Sequence, residues 1–338
     1  MTSNRLYKNN HTFISFPPVC VEGFSSIHPE GVGKDGCMYA VEPDYKLLIP
    51  NSSLRRRMSR VVKMGVACGL ECLKEVPAED VGAILTATGW GCLGDTQKFM
   101  DLLTDNHEQF LNPTPFMQST FNTVGAQIAL CKGIHACNMT YVQKGHSFEN
   151  ALIDAVLHVS EGKDAVLVGA FDELTSFTSG LLSRLKFPKP MGEGTQFFLL
   201  GNPDKKGRGS LKKSQGIYLK STGVFSGHHT PDSVCRQMLE FLSANDIAAS
   251  EVNLFINGRM PEGENRVYDC LERRLNAAVS MGFKDECGES PTAVSYALWK
   301  ACRLLQSTYR DRHCRLLIYN NFLGCEHSFI LVENICGC

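Results

Sequence analysis

A five-residue turn, Gln143-Lys144-Gly145-His146-Ser147, separates the strand-like run Asn138-Met139-Thr140-Tyr141-Val142 from an amphipathic run. In the latter, Phe148, Leu152, Ala155, Val156 and Val159 recur at helical spacing. A strand that turns sharply into a helix is a place for acyl-transfer chemistry, because the positive end of the helix stabilises an anionic nucleophile. The residue types here supply no obvious nucleophile. Gly145 has no side chain. His146 and Ser147 are adjacent, and neighbours in a turn rarely face each other as base and nucleophile must. The simpler reading is that Ser147 caps the helix and His146 is half-buried. Substitute nucleophiles would have to come from Ser147 itself or from Cys137, Cys287 or Cys325, although a free cysteine more commonly fills a core.

The elements around this turn alternate. A helix is expected after "IPNSS", capped by Ser52 or Ser53, with Leu54, Met58, Val61, Val62, Val66, Leu70 and Leu73 on one stripe and Pro77 beyond its end. "VGAILTATGWG" reads as a buried strand entering a Gly-rich turn. It has no Lys-Ser/Thr after the glycines, so it is not a phosphate loop. Residues 95–112 and the stretch "NTVGAQIALCKG" read as helical, and "AVLVGAFDEL" as a second buried strand. "GEGTQFFLLGN" and "GIYLKSTGVF" read as a hairpin joined by the basic loop "PDKKGRGSLKKSQ". Helices over "PDSVCRQMLEFLSAND", "NRVYDCLERRL" and "TAVSYALWKACRLLQ" alternate with strands over "VNLFING", "RLLIYNNFLG" and "SFILVEN". Residues 1–45 look irregular, with one short strand near residues 12–16. Strands this apolar need cover on both faces, which predicts an α/β fold. The expected division is residues 1–185 and 186–338, packed as one unit without a linker.

The bulk numbers exclude several classes. The chain has 338 residues, 43% hydrophobic and 20% charged, with a formal net charge of −1. There is no basic field for nucleic acid. No apolar run reaches the roughly 18 residues needed to cross a bilayer, and the N-terminus lacks a signal-peptide pattern. Fifteen cysteines scattered through apolar segments fit reduced thiols in a cytoplasmic protein. The pairs Cys68/Cys72 and Cys336/Cys338 are too sparse for a metal site, and no cofactor motif is present.

The order of these motifs resembles the β-ketoacyl synthases of the thiolase superfamily over most of the chain. Residues 122–155 lie along that family's active-site segment without a gap. "GEGTQFFLLGN" is similar to the "GEGAG" strand that opens the second half. "VNLFING" and "FKDECGESPTAVSYAL" resemble the segments carrying the two catalytic histidines, and "NNFLGCEHSFILVE" the closing glycine-rich loop. The resemblance implies a layered αβαβα fold built from two similar βα halves. It also exposes what is lost. The nucleophile position falls on Gly145, the first histidine on Arg259 and the second on Glu289, while Lys284 keeps the family's lysine. Arg259 cannot accept a proton, and an ionised Glu289 would repel a developing enolate. Arg259, Glu289 and Lys284 are expected to form a charged cluster that fills the former pocket.

The family includes partners that have lost the nucleophile: the chain-length factors of type II polyketide systems and of aryl-polyene and flexirubin pathways. The wording "YVQKGHSFENAL" resembles the pigment-type branch. The resemblance implies a non-catalytic subunit that heterodimerises with an active ketosynthase and shapes its acyl tunnel. The strand Asn138-Met139-Thr140-Tyr141-Val142 would pair across an interface larger than the roughly 1,200–2,000 Å² of a standard complex. Acyl carrier protein is the second implied partner. Arg55, Arg56 and Arg57, and less so the basic run 204–213, could steer its acidic surface. Cys287 and Cys325 fall in loops that face the family's pocket, and His327 reads as structural. The alternative is a thioester hydrolase or acyltransferase with a rewired site, using Glu289 as general base. A homodimeric acyl-binding protein without chemistry is a third reading.

Overall fold

The computed structural model describes residues 11–203, 216–261, 265–276 and 279–335. The basic run 204–213 and the terminal Cys336 and Cys338 lie outside them.

Ten strands form one continuous mixed sheet. The first five are β1 (His11–Ile27), β3 (Ala83–Ala87), β4 (Cys137–Tyr141), β5 (Val166–Asp172) and β7 (Gly194–Gly201). The second five are β8 (Ile217–Ser226), β9 (Leu254–Asn257), β10 (Val279–Gly282), β11 (Cys314–Phe322) and β12 (Glu326–Asn334). β2 (Cys37–Met38) and β6 (Met191–Gly192) make a separate parallel pair. From its outer edge inward, the first set runs β4-β3-β5-β7-β1 and the second β10-β9-β11-β12-β8. Each set thus places its third, second, fourth, fifth and first strand in that order. Their directions match too: β3 is parallel to β4 and β5, and β5 is antiparallel to β7. Likewise β9 is parallel to β10 and β11, and β11 is antiparallel to β12. The two sets join where β1 runs antiparallel to β8.

Period-2 alternation divides the core into layers. Leu85 of β3 and Ile256 of β9 face a shared core with α7 (Ser147–Ser160) and α12 (Ala293–Gln306). Ile84, one residue along, faces α3 (Arg60–Cys72) and α6 (Thr123–Lys132). Phe255 faces α9 (Pro231–Ser243) and α10 (Arg266–Leu275). With the two five-strand halves of the sheet packed on either side of α7 and α12, the layers run helix, half-sheet, helix, half-sheet, helix: an α/β fold of αβαβα type. Strands with both faces covered must be apolar at every position, and β3 and β5 are buried throughout. The remaining helices are α1 (Tyr45–Leu48), α2 (Ser52–Arg57), α4 (Leu93–Asp105), α5 (Pro113–Ser119), α8 (Ser176–Arg184) and α11 (Lys284–Cys287).

Three local expectations are corrected. The expected hairpin does not form, because β1 lies between β7 and β8 and pairs antiparallel with both. The N-terminal segment is therefore a 17-residue central strand. Pro17 and Pro18 disguise it, since proline cannot donate to a ladder. They sit where the register with β8 shifts between Ser15 and Val19, at a bulge that tolerates them. The helix after "IPNSS" is two helices. Asn51, not Ser52 or Ser53, caps α2 by accepting from the Ser53 and Leu54 N–H groups, and extended backbone at Met58 precedes α3. Finally, α4 stops at Asp105 rather than residue 112, where His107, Glu108 and Phe110 adopt positive φ.

Candidate functional site

The turn after β4 is held from within. Ser147, fully buried, accepts a hydrogen bond from the Gln143 N–H at 2.7 Å and donates to the Lys144 carbonyl at 2.8 Å. Lys144 takes φ 52°, a left-handed conformation that makes the turn tight enough for α7 to begin at once. His146 points the other way. Its Nε2 lies 3.2 Å from the His327 carbonyl, so Nε2 carries the proton there. Burial lowers the His146 pKa, which favours this neutral ring. Ser147 and His146 are thus committed to separate partners.

Gly145, just before them, has no room for a side chain. A Cβ there would lie 2.6 Å from Cβ and Cδ1 of Phe322 and 2.7 Å from Oε2 of Glu326. The clash with Phe322 involves its Cβ, so turning the ring does not relieve it. The Gly145 N–H instead donates to Glu326 Oε2 at 2.8 Å. An aromatic row continues outward from Phe322 through Phe187, at 6.1 Å, to Trp90, a further 5.7 Å away. In the first turn of α7 lies Glu149, fully buried, with the Ser328 hydroxyl beside its carboxyl. Burial pushes its pKa up to about 7, opposed by the nearby Ser328 hydroxyl and Lys284, and assisted by the charge of Glu326.

The three expected charged residues do not all meet. Lys284 Nζ donates to Glu289 Oε2 at 2.7 Å, with both side chains buried, and to the Asn321 carbonyl at 3.0 Å. Burial raises the Glu289 pKa and Lys284 opposes that shift. Arg259 is elsewhere. Its guanidinium pairs with Asp269 at 2.8 Å and Glu272 at 3.1 Å on α10, and stays 29% exposed. The expected triad is therefore a pair. The reason is local: an Arg beside a helix carrying two outward acids meets them without giving up its hydration.

Residues 40–177 match the family model described as the N-terminal domain of β-ketoacyl synthases. Over nearly the full length, the structure superposes on ketosynthases. A chain of AntDE:AntF, a type II polyketide synthase acyl-carrier protein in complex with its ketosynthase, matches with a TM-score of 0.76. It is 15% identical and covers 94% of this chain and 99% of that one. The ishigamide ketosynthase/chain length factor gives 0.73 at 14% identity, covering 95% and 99%. A β-ketoacyl synthase from Burkholderia phymatum STM815 gives 0.72 at 14%, covering 95% and 100%. The chain has the ketosynthase fold. Among curated proteins no sequence matches it.

The remaining candidates spread around this ketosynthase fold. The Cys287 thiol is buried against the Gly288 carbonyl, and burial pushes its pKa well up. Cys325 is half-buried in the β11–β12 turn, and burial again raises its pKa. Neither setting makes a thiolate nucleophile at neutral pH. Cys137 is exposed at the end of β4 away from the turn. β4 itself is an outer edge of the sheet, and its residues 137–139 are exposed, with Met139 48% accessible. On α2, Arg56 and Arg57 are exposed, while Arg55 donates to the Ile49 and Pro50 carbonyls. His327 is buried and structural in setting. Its Nε2 faces the Gly227 carbonyl, its Nδ1 the Tyr319 hydroxyl at 2.8 Å, and its ring stacks on Phe225. Burial lowers its pKa to about 4, so it stays neutral.

Sequence reasoning missed Phe322, Glu326, Glu149 and Asp172. Asp172, closing β5, accepts from the Thr88 and Thr292 hydroxyls and the Gly89 and Trp90 N–H groups, at 2.7–3.0 Å. It fastens the Gly-rich end of β3 to the approach to α12. An acid ending so apolar a strand was its only signal. Among the described residues no cluster of His, Cys, Asp and Glu could hold a metal, and no helix is long and apolar enough to cross a membrane.

Proposed function

We propose that this chain is a β-ketoacyl synthase homologue without condensing activity of its own. It pairs with an active ketosynthase subunit and shapes the tunnel for a growing acyl or polyene chain, as a chain-length factor does. The observation that carries this reading is the filled position at Gly145. A condensing enzyme needs a thiol there with open space for an acyl group, and here Phe322 and Glu326 occupy that space. The Lys284–Glu289 pair adds support, since a buried ammonium holds one oxygen of Glu289 and the pair offers no neutral donor to an enolate. The alternative, a rewired thioester enzyme with Glu289 as base, would have to use the one oxygen of Glu289 that Lys284 does not hold.

The partner surface in this reading is the free edge of β4. Exposed N–H and C=O groups on an outer strand are a template for pairing with a second chain. Asn138, Met139, Thr140, Tyr141 and Val142 would meet the matching strand of the ketosynthase. Arg56 and Arg57, with Arg55 behind them, would steer an acidic acyl carrier protein. The aryl-polyene or flexirubin branch is the pathway type favoured by the wording of the turn.

The test is intact-protein mass after incubating the purified chain with malonyl- and acyl-carrier thioesters. No mass gain, no carbon dioxide and no free thiol are expected. A stable adduct or steady turnover overturns the reading, and mapping the adduct identifies the nucleophile. Co-expression with a ketosynthase subunit should give a heterodimer that Met139→Asp abolishes without unfolding the chain.

A further inference from the structure

α9 and α10 pack against each other over the second strand set, and each buries one thiol in the apolar seam between them: Cys235 on α9 and Cys270 on α10. Asp232 and Cys235 are three residues apart, so they are neighbours on one face of α9. Cys270 lies against that face. Its thiol donates to Asp232 Oδ1 at 3.9 Å and shares a hydrogen bond with the Cys235 thiol. The two differ in depth. Asp232 is exposed, so solvent reaches the Cys270 sulfur beside it. Cys235 lies inward, close enough to the buried Tyr319 for their charges to interact. Burial pushes the Cys235 pKa up to about 12, with Cys270 adding to the shift, so Cys235 rests as a thiol. Cys68 and Cys72 are also neighbours, but they share α3. Positions four apart on a helix hold their Cβ atoms about 5–6 Å apart, beyond the ~3.5–4.5 Å of a disulfide.

We propose that Cys235 and Cys270 form a peroxide-oxidisable dithiol, a modification site at which a reversible disulfide staples α9 to α10. The proposal is independent of pairing with a ketosynthase. The oxidant is a hydroperoxide, hydrogen peroxide being the simplest. Its O–O bond breaks as one oxygen passes to the Cys270 sulfur, giving a sulfenic acid and one water. The Cys235 sulfur then attacks the Cys270 sulfur. The S–O bond breaks, and the hydroxyl leaves with the Cys235 proton as a second water. Two thiols and one peroxide become one disulfide and two waters. The staple closes the chain between the two helices into a loop, which lowers the entropy of the unfolded state. A reducing thiol reverses it.

The test is peptide mapping of the full chain. The folded, reduced protein is treated with hydrogen peroxide, its remaining thiols are blocked with N-ethylmaleimide, and it is digested with trypsin without reductant. Each cysteine of the pair falls alone in its peptide, 221–236 and 267–273. These two peptides should appear joined, and dithiothreitol should release them. The oxidised chain should unfold several degrees higher than the reduced one and lose that gain in dithiothreitol. Cys235→Ser should stop at the sulfenic acid, trapped by dimedone on 267–273, and Cys270→Ser should give neither product. Peptides 221–236 and 267–273 recovered only as maleimide adducts after peroxide treatment overturn the proposal. So does either peptide joined chiefly to another cysteine, or a link that forms only in urea. These readings come from the parent chain and stand even where a variant does not fold.

Discussion

Two carboxylates stand near the starts of the two central helices, and they are held in different ways. At α7, Glu326 meets a neutral backbone N–H and remains partly exposed. Ahead of α12, Glu289 meets a buried ammonium, Lys284, at 2.7 Å. The strand sets that carry α7 and α12 have the same order and directions, so the difference lies in the loops. It teaches how one framework closes a site in two places. A backbone donor in a turn needs no countercharge and tolerates water nearby. A full ion pair in the interior needs both members, because either alone is a desolvated charge.

The largest effect should follow from breaking the buried pair. Lys284→Met should cost about 3–5 kcal/mol, read from the urea midpoint, because Glu289 is then stranded. Replacing both residues with Met should recover most of that loss. A single variant costing under about 1 kcal/mol would mean that water reaches the pair, and the contrast with Glu326 would collapse.

Glu149 sharpens the same contrast through pH. Folding raises its pKa from 4.5 to about 7, so the native chain holds its proton over a range where the unfolded chain has lost it. Its contribution to stability is complete below about 4.5 and is lost as pH rises toward 7. At the 1.4 kcal/mol that each unit represents, the change approaches about 3 kcal/mol. Ser328, Glu326 and Lys284 are the polar groups that face it. Glu149→Gln should flatten this part of the stability–pH profile relative to the parent and should be the more stable chain at pH 8. Glu173, also buried and raised to about 7, is common to both chains and cancels in the difference. An unchanged slope in Glu149→Gln would place its carboxyl in contact with water.

Much of this was legible in the sequence, and the illegible parts share a cause. The apolar runs of β3 and β5 announced strands covered on both faces, and the order of motifs announced the layered fold. The resemblance placed Gly145, Arg259 and Glu289 at the family's catalytic positions, an expectation carried by residue type and spacing. What fills the space is a matter of tertiary approach. Nothing in "NNFLGCEHSFILVE" says that Phe322 and Glu326 would come to rest against Gly145, some 180 residues earlier in the chain. The β1 strand was hidden for a related reason: two prolines signal a loop locally, and only the partner strands supply the bulge that accommodates them.

Position 145 tests the closed site with a smaller expected effect. Gly145→Ala and Gly145→Cys should each cost about 1–3 kcal/mol, since the added Cβ meets Phe322 Cβ at 2.6 Å and the β11–β12 turn must shift. The Cys variant should release no carbon dioxide from malonyl thioesters. Decarboxylation by the Cys variant would show that the turn opens readily and would overturn the reading of a closed site.

Arg259 supplies the smallest effect and the cleanest contrast with Lys284. Both are cations at positions that the sequence placed in one cluster. Arg259 instead bridges Asp269, 54% exposed, and Glu272, 33% exposed, and lies 5.6 Å from the Tyr268 ring centroid. Solvent screens these pairs and hydrates whatever is left behind, so truncation strands no buried charge. Arg259→Ala should therefore cost less than about 1 kcal/mol and lose part of that cost in high salt. The same salt should leave the Lys284→Met penalty almost unchanged, because ions do not reach a buried pair. Equal penalties and equal salt responses at the two positions would put Arg259 back beside Glu289 and dissolve the distinction between a filled interior and an ordinary surface.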